Sequence, residues 1–357
     1  MDIESKLELI KQVGEEIITE EELKHLLKTK EHPIAYDGFE PSGTDVHIAQ
    51  GILRAINVNR MAKAGIKFKM LVADWHAWAN NKLEGDLEKI QTVGHYLIEV
   101  WRHCGMDLKN VEFVWVSDYV KEPEYWKKVM QVARNSTVKR IIRTGQIMGR
   151  KEAEVQQASQ ILYPCMQCAD IFQLKADITQ LGMDQRKVNV LAREIAHSLG
   201  FWKPVVVSHH MLIGLGEPPK QSDEDRILEL KMSKTNPEKA IFMNDSEEDI
   251  KRKINKAYCP AKVIEENPML EYSEYLIFEK FNTMEIKRQE KFGGDVVIEN
   301  YRELEKLYHE GKIHPADLKN TVASYINEMI KPVRESFEKD PKLKKLLETI
   351  KKFEVTR

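Results

Sequence analysis

Three stretches of the sequence hold side chains suited to work on a phosphate or on a small polar ligand. The first is AYDGFEPSGTDVHIAQG, residues 35–51, in which Gly38, Pro41 and Gly43 force a turn before a helix. A helix N-terminus presents unpaired N–H groups and a partial positive charge to an anion, and His47 stands in or beside that first turn as a further donor. Neither a GxxxxGK[ST] loop nor a GxGxxG fingerprint is present. The second is ELKMSKTNPEKA, residues 229–240, where Lys231 and Lys234 flank Ser233. Two ammonium groups so placed can neutralise charge developing on a triphosphate; an isolated KxxK is no more than a solvated basic turn. The third is ILYPCMQCADIFQLKADITQLGMDQRK, residues 161–187. Its Tyr163, Gln167 and Asp170 recur at i, i+4, i+7, which puts three polar side chains on one helix face.

These residues need elements to hold them. Short apolar runs of strand length occur at 34–36, 68–73, 111–116, 176–179 and 205–208, separated by helical periodicity near 49–64, 86–105, 123–134, 152–173 and 186–199. Strands alternating with helices predict βαβ units, and hence an α/β fold with a doubly wound parallel sheet. Ligands then bind at the carboxyl ends of the strands, where the strand order reverses. The first stretch and Asp74 to Trp78 follow such ends, the second comes after the last strand and its connection, and in the third Gln185 and Arg186, with Lys187 beside them, stand just after a strand. Residues 1–30 read as helix, with Leu7, Ile10, Val13, Ile17 and Ile18 at helical spacing and a Thr19–Glu22 capping box restarting it. The Pro- and charge-rich GEPPKQSDEDR, residues 216–226, reads as an exposed connection. From Ser246, followed by an acidic first turn, the chain is mostly charged helix-period sequence, and the tail DPKLKKLLETIKKFEVTR has amphipathic spacing. The expected organisation is therefore N-terminal helices over 1–30, a Rossmann-type unit over 31–244 and a mainly helical unit over 245–357.

Composition narrows the function classes. With 357 residues, 42% hydrophobic and 31% charged, the chain is outside the disordered and fibrous classes. Its 55 Lys and Arg against 57 Asp and Glu mean that any polyanion must be met by local patches. Lys139, Arg140, Arg143, Arg150 and Lys151 form one, and Arg186 with Lys187 extends it. Four cysteines, at 104, 165, 168 and 259, do not make a disulfide framework. Cys165 and Cys168 form a CxxC without the second ligand pair a zinc site needs, so packing is expected and no metal site is assigned. The acidic N-terminus lacks the features of a secretory signal, and no apolar run reaches the roughly 18 residues of a membrane span; a cytoplasmic location is expected. His209–His210 reads as an incidental pair at a strand end.

The two phosphate segments together make a signature. His47-Ile48-Ala49-Gln50 and Lys231-Met232-Ser233-Lys234-Thr235 resemble the HIGH and KMSKS motifs of class I aminoacyl-tRNA synthetases, and residues 161–187 resemble the tyrosine-binding region of archaeal and eukaryotic-type tyrosyl-tRNA synthetases. YDGFEPSG, LVADWHAW, KFGGD and HPADLKN extend the match over nearly the whole chain. The departures are Ala49 and Gln50 at the second half of the first motif, where Gln50 must act as the polar donor, and Thr235 at the end of the second.

The resemblance implies an α-helical C-terminal domain for anticodon recognition, a homodimer, ATP as substrate with Mg²⁺, and tRNA and L-tyrosine as partners. It implies that Tyr36 and Asp170 hydrogen-bond the substrate phenol, and that Tyr163, Gln167 and Gln185 hold its α-ammonium with Glu40 nearby. Gly38, His47, Gln50, Lys231, Ser233 and Lys234 would bind ATP, with His47, Lys231 and Lys234 catalytic. Arg143, Arg186 and Lys187 would meet the tRNA acceptor stem, and Phe292, His314 and Asp317 the anticodon. Two alternatives remain open: a tryptophanyl-tRNA synthetase, which shares the signatures, and a tRNA-binding paralogue without adenylation.

Overall fold

The computed structural model describes residues 1–148, 157–219, 226, 230–232 and 236–354, with the backbone alone at Phe292. Six strands form one sheet: β1 (Gly14–Ile18), β2 (Ile34–Phe39), β3 (Lys67–Val72), β4 (Val111–Trp115), β5 (Ile178–Gly182) and β6 (Val205–His209), in the order β1-β6-β5-β2-β3-β4. Neighbours from β6 to β4 are parallel, while β1 joins the β6 edge antiparallel. From β2 the chain runs outward through β3 and β4, then crosses to β5 and β6 on the other side. The order therefore reverses between β2 and β5, where Ala35 and Tyr36 pair with Ile178 and Thr179. A crevice opens at the carboxyl ends of those two strands.

Alternation along the strands builds two cores, one on each face. Ala35 and Phe39 of β2, with Phe68, Met70 and Val72 of β3, enter the first; Tyr36 and Leu71 enter the second. The second core is closed by the Ala158–Gln173 helix, whose buried face carries Tyr163, Gln167 and Asp170. The first continues into the C-terminal helices through Ile250, Tyr272, Tyr308 and Ile326.

All five strands expected from sequence form, and so do the helices Arg54–Lys63, Leu87–His103, Pro123–Arg134, Ala158–Gln173 and Arg186–Ile195. The Thr19–Glu22 capping box closes as read: the Thr19 hydroxyl accepts from Glu22 N at 3.2 Å and the Glu22 carboxylate from Thr19 N at 3.3 Å. Ser246 caps the Glu247–Lys256 helix. Residues 14–18 depart from the helical reading of 1–30. After the Ile3–Lys11 helix they form β1, because Ile17 and Ile18 pair with Val207 and Val206 at an otherwise open sheet edge. The C-terminal region is mainly helical, with the Pro315–Lys339 helix its longest element, and it also holds a two-stranded ladder, β7 (Met284–Ile286) with β8 (Val296–Ile298). Residues 220–225 of the Pro- and charge-rich connection lie outside the described residues.

Candidate active site

Beneath the carboxyl end of β2 a group of buried phenols surrounds one carboxylate. Tyr36 projects from β2 and is 2% exposed. Two residues on, and on the same face, a Cβ at Gly38 would stand 2.9 Å from Tyr36 Oη, so the missing side chain is what gives the phenol its room. Opposite, Asp170 is fully buried. Its Oδ1 accepts from Tyr119 Oη at 2.7 Å, and its Oδ2 lies 3.0 Å from His76 Nε2. That second approach is misaligned, leaving Oδ2 a buried acceptor without a hydrogen bond among the described residues.

Charge states follow from this burial. Burial first, and the Asp170 carboxylate second, push the phenols of Tyr36, Tyr119 and Tyr125 well above the ordinary tyrosine range. Burial and then Glu40 do the same for Tyr163. These hydroxyls remain protonated donors near neutrality.

Nearer the mouth, Tyr163 Oη donates to Glu40 Oε2 at 3.3 Å and Asn80 Nδ2 to Glu40 Oε1 at 3.0 Å. The His76 ring meets Tyr163 edge-on at 4.8 Å. Gln167 Nε2 donates to Gln185 Oε1 at 3.0 Å, and Gln185 Nε2 to Ile147 O at 3.0 Å. The helical i, i+4, i+7 face thus brings Tyr163, Gln167 and Asp170 to one wall, with Glu40 and Gln185 reaching it from the ends of β2 and β5.

The next group holds the residues expected to meet phosphate. Ile48 N donates to Ile241 O at 2.9 Å and Met243 N to Val46 O at 2.7 Å, fixing the backbone on both sides of His47. His47 Nδ1 accepts from Gln50 N at 3.3 Å, so the imidazole caps the turn it precedes. Gln50 O accepts from Trp101 Nε1 at 2.8 Å, whereas its side-chain oxygen is buried without a hydrogen bond among the described residues. Lys231 Nζ lies 2.7 Å from Asp184 Oδ2. Burial would raise the Asp184 carboxyl, but the charge and hydrogen bond of Lys231 more than offset it and hold it below the usual range. Ser233 and Lys234 lie outside the described residues.

The basic residues are spread over three elements. Arg143 is exposed on the Val138–Thr144 helix. Arg186 and Lys187 open the Arg186–Ile195 helix; Arg186 Nε sits 2.7 Å from Glu16 Oε2 of β1, and Lys187 Nζ donates to Gln146 Oε1. Arg150 and Lys151 lie outside the described residues, as does the Phe292 side chain. His314 Nδ1 accepts from Ala316 N at 3.1 Å and caps the Pro315–Lys339 helix, with Asp317 in that helix's first turn. Cys165 and Cys168 are buried in the second core. Burial pushes the Cys165 thiol up to about 11 and the Cys168 thiol well above the ordinary thiol range.

His76 lies in the Asp74–Trp78 stretch read as lining the crevice, a position that does not say which of its side chains enters. Three further residues of the site were not singled out by sequence reasoning, and Asn80, which orients Glu40, stands just past that stretch. Tyr119 and Asp184 carry no sequence signal beyond lying after a strand end.

Comparison with known proteins adds an independent line. The family model described as tRNA synthetases class I (W and Y) matches residues 28–331. Tyrosine–tRNA ligase 1, cytoplasmic, of Arabidopsis thaliana is 48% identical over 359 residues, spanning 100% of this chain and 90% of that protein. The crystal structure of tyrosyl-tRNA synthetase from Pyrococcus horikoshii complexed with L-tyrosine superposes with a TM-score of 0.90 at 40% identity, covering 98% of this chain and 100% of that one. Tryptophanyl-tRNA synthetase from Plasmodium falciparum shares the fold alone, with a TM-score of 0.67 at 16% identity over 97% of this chain and 89% of that one.

Proposed function

The chain belongs to the class I tRNA synthetases of the tryptophan and tyrosine group, among the tyrosine–tRNA ligases, and from that premise we propose how its pocket carries out the ATP-dependent attachment of L-tyrosine to tRNA. The tyrosine carboxylate attacks the α-phosphate of ATP; a carboxyl oxygen–phosphorus bond forms, the bond to the β-phosphate breaks, and pyrophosphate leaves. A hydroxyl of the terminal adenosine of tRNA then attacks the activated carbonyl, and AMP departs.

The observation that carries the assignment is Asp170 Oδ2, a buried acceptor 3.0 Å from His76 Nε2 yet without an aligned donor, near enough to the protonated Tyr36 phenol for its charge to be felt there. A para hydroxyl entering there would donate to Asp170 and accept from Tyr36. Phenylalanine would leave both unmatched, and the single N–H of an indole has no lone pair for Tyr36. At the other end, Tyr163, Gln167 and Gln185, with Glu40, would hold the α-ammonium.

Catalysis in this scheme is positioning plus charge stabilisation. His47 and Lys231, together with Lys234, would stabilise charge on the departing pyrophosphate, with Gly38, Gln50 and Ser233 completing the nucleotide contacts. Mg²⁺ brought in with ATP would supply charge neutralisation on the phosphates, beside the contribution of Lys231 and Lys234. Arg143, Arg186 and Lys187 would position the acceptor stem through its phosphates, and Phe292, His314 and Asp317 would read the anticodon from a C-terminal unit beginning near residue 245. We place the protein in the cytoplasm as a homodimer; none of its described helices is long and apolar enough to cross a membrane.

Pyrophosphate exchange run with each of the twenty amino acids tests the function. Tyrosine-dependent exchange is expected; tryptophan-dependent exchange, or none, would overturn it. Lys231→Ala is expected to slow adenylate formation about a hundredfold while leaving tyrosine affinity unchanged.

A further inference from the structure

Residues 212–215, just beyond β6, contribute no side chain to the proposed chemistry, yet their backbone is gripped from both sides. On one side lies the lysine segment. Gly214 N donates to Leu230 O at 2.9 Å and Met232 N to Leu212 O at 2.8 Å, so that Ile213 and Lys231 face each other as an antiparallel pair. In a pair of this kind the hydrogen bonds are made by the flanking residues, and the N–H and C=O of the residue between them point to the opposite edge. In a longer sheet another strand would take them. Here the Pro268–Tyr272 helix does so with two adjacent side chains: Ile213 N donates to Glu271 Oε1 at 2.7 Å, and Ile213 O accepts from Tyr272 Oη at 2.8 Å. Tyr272 is fully buried. One residue on from Gly214 the grip continues, with Leu215 N donating to Lys239 O at 2.9 Å and Tyr258 N to Leu215 O at 2.8 Å.

We propose that Glu271 and Tyr272 are positioning residues for the adenylation step, because by holding both polar groups of Ile213 they fix the backbone on which Lys231 stands. The helix carrying them belongs to the C-terminal region, so that region sets the resting place of a phosphate-binding lysine through a backbone clamp. This inference rests on the role proposed above for Lys231.

The test uses the full-length enzyme and three variants. Tyr272→Phe removes one hydroxyl and keeps the ring. Glu271→Ala removes the acceptor for Ile213 N, and Glu271→Gln keeps an oxygen there. Single-turnover adenylate formation at saturating tyrosine, and tyrosine affinity without ATP, are measured for each. Tyr272→Phe and Glu271→Ala are expected to slow the step about tenfold, the weight of one net hydrogen bond, with tyrosine affinity unchanged and Glu271→Gln close to wild type. In a Lys231→Ala background, Tyr272→Phe is expected to add no further loss, since both act through the same ammonium group. A wild-type rate in Tyr272→Phe, a loss that persists in the Lys231→Ala background, or an equal fall in tyrosine affinity would overturn the clamp. If Lys231→Ala alone leaves the rate unchanged, the lysine's role fails and the clamp fails with it. If that variant is slow while Tyr272→Phe is not, only the clamp fails.

Discussion

Tyr119 Oη donates to Asp170 Oδ1 at 2.7 Å, while the other oxygen of that buried carboxylate lies 3.0 Å from His76 Nε2. A hydrogen bond to an ionised carboxylate contributes roughly 1.5–3 kcal/mol. Tyr119→Phe is therefore expected to raise the tyrosine KM at least tenfold in pyrophosphate exchange and to leave the ATP KM unchanged. Parallel changes in both constants would show that Tyr119 supports the fold and not the carboxylate.

Gly38 makes room for the Tyr36 phenol. A methyl group there would stand 2.9 Å from Oη and 3.1 Å from Cε2, and overpacking of this kind costs about 1–3 kcal/mol. Gly38→Ala is expected to displace the Tyr36 ring and weaken tyrosine binding by tenfold or more, read by equilibrium binding in the absence of ATP. If Gly38 served the nucleotide alone, tyrosine binding would stay as in wild type.

A charged histidine joins β1, the end of β6 and the C-terminal region. His210 Nδ1 is 3.0 Å from Glu15 Oε2, and its Nε2 is 3.0 Å from Glu271 Oε1; the ring stacks on Tyr275 at 4.3 Å, with Glu274 close by. Burial by itself would lower the imidazole, but its hydrogen bond to Glu15 and the Glu271 carboxylate beside Nε2 raise it to about 9. A folded-state value above the unfolded one gives stability that is complete below about pH 6.5 and is lost as pH rises through about 9. The thermal midpoint of the wild type is thus expected to fall between pH 7 and pH 10 by more than that of His210→Gln. Identical pH profiles would contradict this.

The proposed binding of tRNA through Arg186 and Lys187 would carry a salt signature. Removing one phosphate-binding charge is expected to lower the slope of log affinity against log salt by about 1. Arg186→Ala and Lys187→Ala, titrated with tRNA at several salt concentrations, should each show that change while tyrosine-dependent exchange continues. An unchanged slope in both variants would remove these residues from the interface.

Much of this architecture is legible in the sequence because its determinants are local. The strands of the parallel sheet are short runs rich in apolar residues, β5 being buried throughout with Thr179 and Gln180 included, and the helices between them keep their period. Caps such as Thr19 with Glu22 are set within one turn. β1 is different: Val13, Ile17 and Ile18 fit a helix as well as a strand, and what decides between them is pairing with β6, almost two hundred residues away. The stripe of Tyr163, Gln167 and Asp170 could be read because one helix carries it. Its partners could not, since Tyr119 and His76 reach Asp170 from other elements, and Asp184 meets Lys231 from 47 residues before it.

The most direct measurement is a crystal structure of the protein with L-tyrosine bound. The phenolic oxygen is expected within hydrogen-bond distance of both Tyr36 Oη and Asp170 Oδ2. A bound ligand whose para oxygen touches neither side chain would contradict the assignment of the pocket.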